Sequence, residues 1–328
     1  MWSLQGAFDS MSQNRTSRHN RIVISRSNNQ GGGTASPYAP FTFARFSIAC
    51  ERHPERNEDS FTIDQHNGLA AVFDGVGGSA AGEIASQTAA RAVYLGWKDA
   101  RKQMQKGQHT QSSFTDCDGS NLSDLLRTLT LDADEQVRTE GARRAGTDDL
   151  ATTIALAVLC RQADQKHHTM VYSHVGDSRI YLLREQEGLK RLTSDDGLLA
   201  RLVENQIVND EDAHRIDQAM QADQLSDLEF SYFRLRGGIT QALGGPLPPT
   251  VHIDQITVQP GDRILLCTDG IHDNLTDGEI EATLRTSPRT SVARVLVEQA
   301  LMRSRQERSV TLRAKPDDMS AIVVVCRF

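Results

Sequence analysis

Short apolar runs separated by polar turns organise most of this chain. Phe41, Phe43, Phe46 and Ile48 lead to Phe61 and Ile63, then to the unbroken run Leu69-Ala70-Ala71-Val72-Phe73. Alternation with period two, and short apolar runs bounded by turn residues, predict β-strands. By the same rule strands are predicted over 151–160, 170–175, 179–183, 251–258, 263–267 and 321–325. Val251, Ile253, Ile256 and Val258 alternate imperfectly, as expected of a strand exposed on one face or carrying a bulge. Pro260-Gly261-Asp262 supplies a tight turn between two of these strands.

Helical periodicity replaces this pattern in four places. Ser79 opens a stretch through Trp97, in which Ile84, Thr88, Ala92 and Leu95 recur at three- to four-residue spacing and predict one packing face. Ala80, Ala81, Ala85 and Ala89 would let that helix lie close to a sheet. A second helix is expected from Ser123 to about Arg144, with Ser123 or Asp124 as N-cap and Leu125, Leu129, Ala133, Val137 and Gly141 as its buried stripe. Two more patterns cover 277–285 and 291–304, before the last strand. Helices therefore fall between blocks of strands, an α+β order without βαβα alternation. No internal repeat is found.

Two segments stand apart. Residues 1–40 are rich in Ser, Asn, Gln and Gly, with Ile22-Val23-Ile24 as the only β-prone patch, one that could pair with a sheet edge. Such a composition predicts a disordered tail. Residues 197–236 interrupt the strands, and 207–234 hold seven acids against two basic residues, with few strong core positions. That pattern fits a helical flap, or an insertion that is merely solvated.

Composition narrows the class. At 328 residues, with 38% hydrophobic and 24% charged residues, the chain is an ordinary globular protein long enough for one large domain. A net charge of −7 argues against nucleic acid as the main partner, since phosphate-backbone binding wants a basic surface. Cys50, Cys117, Cys160, Cys267 and Cys326 are odd in number, widely spaced and without a CxxC pair. This fits free thiols in a reducing compartment rather than disulfides or a zinc site. The longest apolar runs fall far short of a membrane span, and the first ten residues lack a secretory signal. A cytoplasmic location is expected.

Four acidic signatures carry the chemistry: Asn57-Glu58-Asp59, Asp74-Gly75-Val76-Gly77-Gly78, Thr268-Asp269-Gly270 and Asp317-Asp318-Met319-Ser320. Each lies at the end of a strand run or just before one. Carboxylates set at strand ends by a rigid sheet gather oxygen ligands for hard divalent cations, so one composite metal centre is expected. The glycines after Asp74 let the backbone bend sharply and turn a carbonyl toward a cation. A bridging Asp74, with Asp269 and Asp317 on one side, could hold two ions about 3.5–4 Å apart that share a water and lower its pKa. Such a centre suits in-line attack on phosphorus.

These runs, with Ala81-Gly82-Glu83-Ile84-Ala85-Ser86, Val175-Gly176-Asp177-Ser178-Arg179, Leu192-Thr193-Ser194-Asp195-Asp196 and Ile239-Thr240-Gln241-Ala242-Leu243-Gly244, resemble the motifs of the metal-dependent Ser/Thr protein phosphatases of type 2C, in family order over 41–328. The glycine turn and Glu58-Asp59 look like bacterial members. The resemblance implies a four-layer α-β-β-α sandwich of two mixed, mainly antiparallel sheets flanked by helices. It implies hydrolysis of phosphoserine and phosphothreonine on proteins by a hydroxide bridging two Mn2+ or Mg2+ ions, in opposition to a Ser/Thr kinase.

By the same resemblance, Asp74 would bridge both metals, the Gly75 carbonyl would bind one, and Asp269 and Asp317 would complete the other. Glu58 and Asp59 would hold metal-bound waters, and Asp177 would help bind a weaker third ion, although Asp177-Ser178 also reads as a plain hairpin turn. Asp318 is expected to be structural, and 197–236 to be the flap that tunes access. His53 is the histidine best placed to reach substrate or a water. Many members carry a phosphate-binding Arg where this chain has Pro54, so Arg52 or Arg56 is expected to take that role, with Arg52 preferred. A pseudophosphatase that only binds a partner is the alternative reading. A phosphodiesterase is disfavoured by the acidic surface.

Overall fold

The computed structural model describes residues 23–24, 40–76, 80–106, 116–117, 119–144, 150–162 and 168–328. In chain order its strands are β1 (Val23–Ile24), β2 (Phe41–Ile48), β3 (Ser60–Asp64), β4 (Leu69–Phe73), β5 (Gly75–Val76), β6 (Asp116–Cys117), β7 (Ala151–Thr152), β8 (Ile154–Gln162), β9 (His168–Val175), β10 (Arg179–Arg184), β11 (Gly188–Arg191), β12 (His252–Val258), β13 (Arg263–Cys267) and β14 (Met319–Cys326). The helices are α1 (Ala80–Lys106), α2 (Gly119–Arg143), α3 (Leu198–Glu204), α4 (Asp210–Asp217), α5 (Asp227–Leu235), α6 (Asp269–His272), α7 (Asp277–Thr286) and α8 (Val292–Ser304).

Two sheets form the centre. The first has the order β1-β3-β4-β8-β9-β12, with β6 also on β8; it is antiparallel except for the β1–β3 and β6–β8 pairs. The second, β11-β10-β13-β14-β2, is antiparallel throughout. Helices α1 and α2 pack on the first sheet, and α7 and α8 on the second, which makes four layers, α-β-β-α.

Period-two geometry explains why the central strands read as unbroken apolar runs. In β4, Leu69, Ala71 and Phe73 face the α1–α2 layer, while Ala70 and Val72 face the opposite sheet. In β14, Ile322 and Val324 face the first sheet, and Ala321, Val323 and Val325 face the α7–α8 side. Both faces are buried, which favours apolar residues on each; every buried Val, Leu, Ile or Phe among them stabilises the fold by roughly 1.5–3 kcal/mol, and the alanines by less. The edge strand β12 is mostly exposed and pairs with β9 in continuous register without a bulge.

Three helical details correct the sequence expectation. The face α1 buries is its small-residue face, Ala81, Ala85, Ala89, Val93 and Trp97, whereas Leu95 is 47% exposed. Small side chains let the helix approach the sheet, and Ile84 and Ala92 sit partly buried at its flank. α1 also runs past Trp97 to Lys106, because its polar continuation consists mainly of good helix formers. α2 begins at Gly119, so neither Ser123 nor Asp124 is its N-cap; buried Leu122 extends the apolar stripe one turn back from Leu126.

Of the first forty residues, β1 pairs in parallel with Thr62 and Ile63 of β3, and the expectation of a disordered tail otherwise lies outside the described residues, as does Ser79. Segment 197–236 folds as α3, α4, a 3₁₀ turn at Ala222–Gln224 and α5. It has more core than its sequence suggests: Val208, Ile216, Ala219 and Phe233 are buried together. Asn209 caps α4, and a reciprocal Ser226–Glu229 capping box starts α5.

Candidate metal centre

Asp74 leaves the end of β4, and its backbone is held on three sides. Its carbonyl accepts from Thr153 N–H at 2.8 Å and Thr152 Oγ1 at 2.8 Å, and its N–H donates to Thr153 Oγ1 at 3.1 Å. Gly75 then donates to the Glu58 carbonyl at 3.1 Å. A Cβ on Gly75 would sit 2.3 Å from the Gly82 carbonyl oxygen and 2.5 Å from that of Glu58. Only glycine allows the Asp74 turn, the Glu58 segment and α1 to meet this closely.

The second half of the centre is built at the ends of β13 and β14. Asp269 is the first residue of α6, and a Cβ on Gly270 would lie 2.0 Å from the Asp318 carbonyl oxygen, so α6 rests directly on the 317–318 backbone. Thr268 locks this joint: its N–H donates to the Ser320 carbonyl at 3.1 Å, and its Oγ1 accepts from Ser320 N–H at 3.0 Å. The same Oγ1 donates to buried Asp59 at 2.7 Å. Asp318 accepts the backbone N–H groups of Cys50 and Glu58, each at 2.6 Å, and so ties the 50–58 loop to the start of β14.

Convergence of these acids shows in their electrostatics. Burial raises the Asp74 carboxyl well above the usual carboxylate range, and Asp269, Asp59, Asp317 and Asp177 all push it further up. Asp59 is raised by burial and by Asp318, against the Thr268 hydrogen bond. Asp177, at the β9–β10 turn, is raised by burial and by Asp269. Several carboxylates that mutually oppose ionisation in one place either hold a proton or attract a cation. The donors on offer, Asp74, Asp269, Asp317 and the Gly75 carbonyl, are oxygens, and this set fits Mg2+ or Mn2+.

Two residues that the motif reading passed over belong to this cluster. Lys315 Nζ pairs with Asp269, with Asp273 at 2.8 Å and with Asp317 at 3.1 Å. Asp273 also pairs with Arg236 at 3.4 Å. The signal was available: Asp273 lies four residues after Asp269, and Lys315 two before Asp317.

The other expected residues divide. Arg56 Nε reaches Glu58 Oε1 at 3.1 Å, at the edge of the acids, whereas Arg52 is exposed beside Cys50. His53 Nδ1 lies 3.8 Å from Asp318. Asp177 is buried, and its carbonyl accepts from His272 Nε2 at 3.0 Å. Elsewhere, His174, Asp196 and His252 bring one ligand atom each within 4.8 Å of one another. The two rings stack with an interplanar angle of 20°, and His252 Nε2 lies 2.9 Å from Asp196 Oδ1. His174 Nε2 is engaged by the Ser194 carbonyl at 2.8 Å.

A four-layer α-β-β-α sandwich with an acidic centre at one end of its sheets defines a metal-dependent phosphatase architecture. The family model described as protein phosphatase 2C matches residues 49–312, and the chain belongs to that family. It is similar to the serine/threonine phosphatase stp of Listeria welshimeri, 25% identical over 236 residues, covering 71% of this chain and 78% of that protein. It is also 29% identical over 253 residues to the serine/threonine protein phosphatase PstP of Mycobacterium tuberculosis, covering 75% of this chain and 39% of that one. The crystal structure of M. tuberculosis PstP shares the fold, with TM-score 0.64, 24% identity and coverage of 88% of this chain and 99% of the other. A second structure, the PstP catalytic domain in complex with two manganese ions, aligns with TM-score 0.61.

Proposed function

We propose that this protein is a metal-dependent phosphatase that removes phosphate from serine and threonine residues of proteins. The observation that carries this reading is the meeting of Asp74, Asp269, Asp317 and Asp177 in one partly buried, mutually repelling cluster within a protein phosphatase 2C sandwich. Two divalent cations, when bound, supply Lewis-acid stabilisation of the phosphoryl group and a water of lowered pKa. Asp74, the Gly75 carbonyl, Asp269 and Asp317 would hold them, and Asp177 would help hold a weaker third.

The chain's own residues do the positioning. Asp59, fixed by Thr268, and Glu58, fixed through its backbone to Asp318, would hold waters at the centre through hydrogen bonds to their carboxylates. Arg56, paired with Glu58 at 3.1 Å, is suited to fork onto an incoming phosphate, the role Pro54 cannot fill. Segment 197–236 serves as a flap: α5 lines a groove of about 550 Å3 together with Arg308, Leu312 and Lys315, which opens beside Asp273.

The domain runs from 41 to 328, its substrates are phosphoproteins made by a Ser/Thr kinase, and its setting is the cytoplasm. No helix among the described residues is long and apolar enough to cross a membrane. The three metal-facing aspartates are all present, which argues against a purely binding role. Release of phosphate from a phosphoserine peptide, measured with Mn2+ and with EDTA, tests the reading. Turnover that needs Mn2+ and stops in EDTA is expected; turnover indifferent to both would overturn it.

A further inference from the structure

The centre already contains a cation of its own. Lys315 Nζ contacts Asp269, Asp273 at 2.8 Å and Asp317 at 3.1 Å, so one ammonium serves three carboxylates. Its N–H donors point at oxygen lone pairs that a divalent ion at Asp269 and Asp317 would also need. The ammonium contacts at Asp269 Oδ2 and Asp317 Oδ2 compete with a metal for those two oxygens. The lysine is held by its backbone as well: its N–H donates to Asn274 Oδ1 at 3.1 Å, and its carbonyl accepts from Asn274 Nδ2 at 2.8 Å. Asn274 in turn donates to the Gly270 carbonyl at 2.9 Å, so the backbone of Lys315 is anchored to α6, the element that carries Asp269.

The same geometry gives Nζ somewhere to go. Asp273 lies outside the set assigned to metal, is buried, and holds Nζ at 2.8 Å. Lys315 also lines the groove of about 550 Å3 under α5, and its side chain is 32% exposed. A four-carbon stem can keep its contact with Asp273 while leaving Asp269 and Asp317.

We propose that Lys315 is a tethered cation that competes with the second divalent ion for Asp269 and Asp317, so that this ion enters only as Nζ withdraws onto Asp273 and into the groove. The inference rests on the metal-centre reading above. In the metal-free chain the ammonium relieves the repulsion among the acids. The cost is a weaker second site, which makes occupancy, and with it activity, depend on the free metal concentration.

The test is metal binding, independent of turnover. Mn2+ titration of the full chain by calorimetry, with free Mn2+ counted by electron paramagnetic resonance, is compared for the wild type, Lys315→Gln and Lys315→Arg. The wild type is expected to bind one ion more tightly than the other. In Lys315→Gln the weaker ion should tighten at least tenfold, while Lys315→Arg, which keeps the charge, should not tighten. In EDTA, Lys315→Gln should melt below the wild type, and saturating Mn2+ should reverse that order. Lys315→Met gives the same readout should the Gln variant fail to fold. Two ions bound equally by wild type and Lys315→Gln, or tightening in Lys315→Arg, would overturn the competition and leave the phosphatase reading standing. No Mn2+ uptake by either protein would overturn the metal centre itself.

Discussion

The Glu58 backbone N–H donates to the Asp318 carboxylate at 2.6 Å, joining segments 260 residues apart in the chain. The other Asp318 oxygen accepts from Cys50 N–H at 2.6 Å. One carboxylate thereby fixes the loop that delivers Glu58 and Asp59 against the strand end that delivers Asp317.

Replacing Asp318 should therefore damage both stability and the site. Asp318→Ala leaves two backbone N–H groups without acceptors, at about 1–3 kcal/mol each. A fall in melting temperature and a loss of turnover are expected together, and Asp318→Asn, which keeps one acceptor oxygen, should fall less on both counts.

The 197–236 segment is held by a buried ionic clamp. Arg179 pairs with Asp195 at 2.6 Å and with Asp217 at 3.2 Å, and buried Arg313 donates to the carbonyls of Asp217, His272 and Leu275. Four arginines, led by Arg179, hold the Asp217 carboxyl far below the usual carboxylate range despite its burial. Asp217→Ala strands buried guanidinium charge, at a cost of about 3–5 kcal/mol. Chemical denaturation should register that loss, and hydrogen exchange across 197–236 should rise more than exchange in β8 or β14.

A pH effect is expected away from the centre. His168 stacks on Phe328 with ring centroids 3.7 Å apart, and neither ring nitrogen has a hydrogen-bond partner. Burial first, and Arg161 second, push its pKa down from 6.5 to about 4. As pH falls below about 6.5 the unfolded chain takes up this proton before the folded chain does. Stability from this group is therefore full above 6.5, is lost down to about pH 4, and changes no further below that. Melting temperatures between pH 7 and 4 should fall less steeply in His168→Phe than in the wild type.

The layered fold was legible because both faces of β4, β8, β13 and β14 are buried, which leaves unbroken apolar runs in the sequence. The acids were legible because they follow those runs directly. What stayed hidden depends on contacts between distant segments. α6 is four residues long, too short for any periodicity, yet it carries Asp269 and is placed by the approach of Gly270 to Asp318. On α1 the alanines expected against a sheet do face it, whereas Leu95, expected on the packing face, turns to solvent because the alanine face already meets the sheet. Lys315 went unnoticed because a lysine beside acids usually reads as a solvated pair, and only the fold shows three of them around one Nζ.

Four distant segments are proposed to build one metal centre that hydrolyses phosphate esters. Turnover of a phosphoserine peptide at saturating Mn2+ by Asp74→Asn and Asp269→Asn, alongside their melting temperatures in EDTA, tests it most directly. Loss of activity by about 10²-fold or more is expected, with melting temperatures equal to or above the wild type, since each change relieves acid repulsion. Near-wild-type turnover by either folded variant would contradict the account.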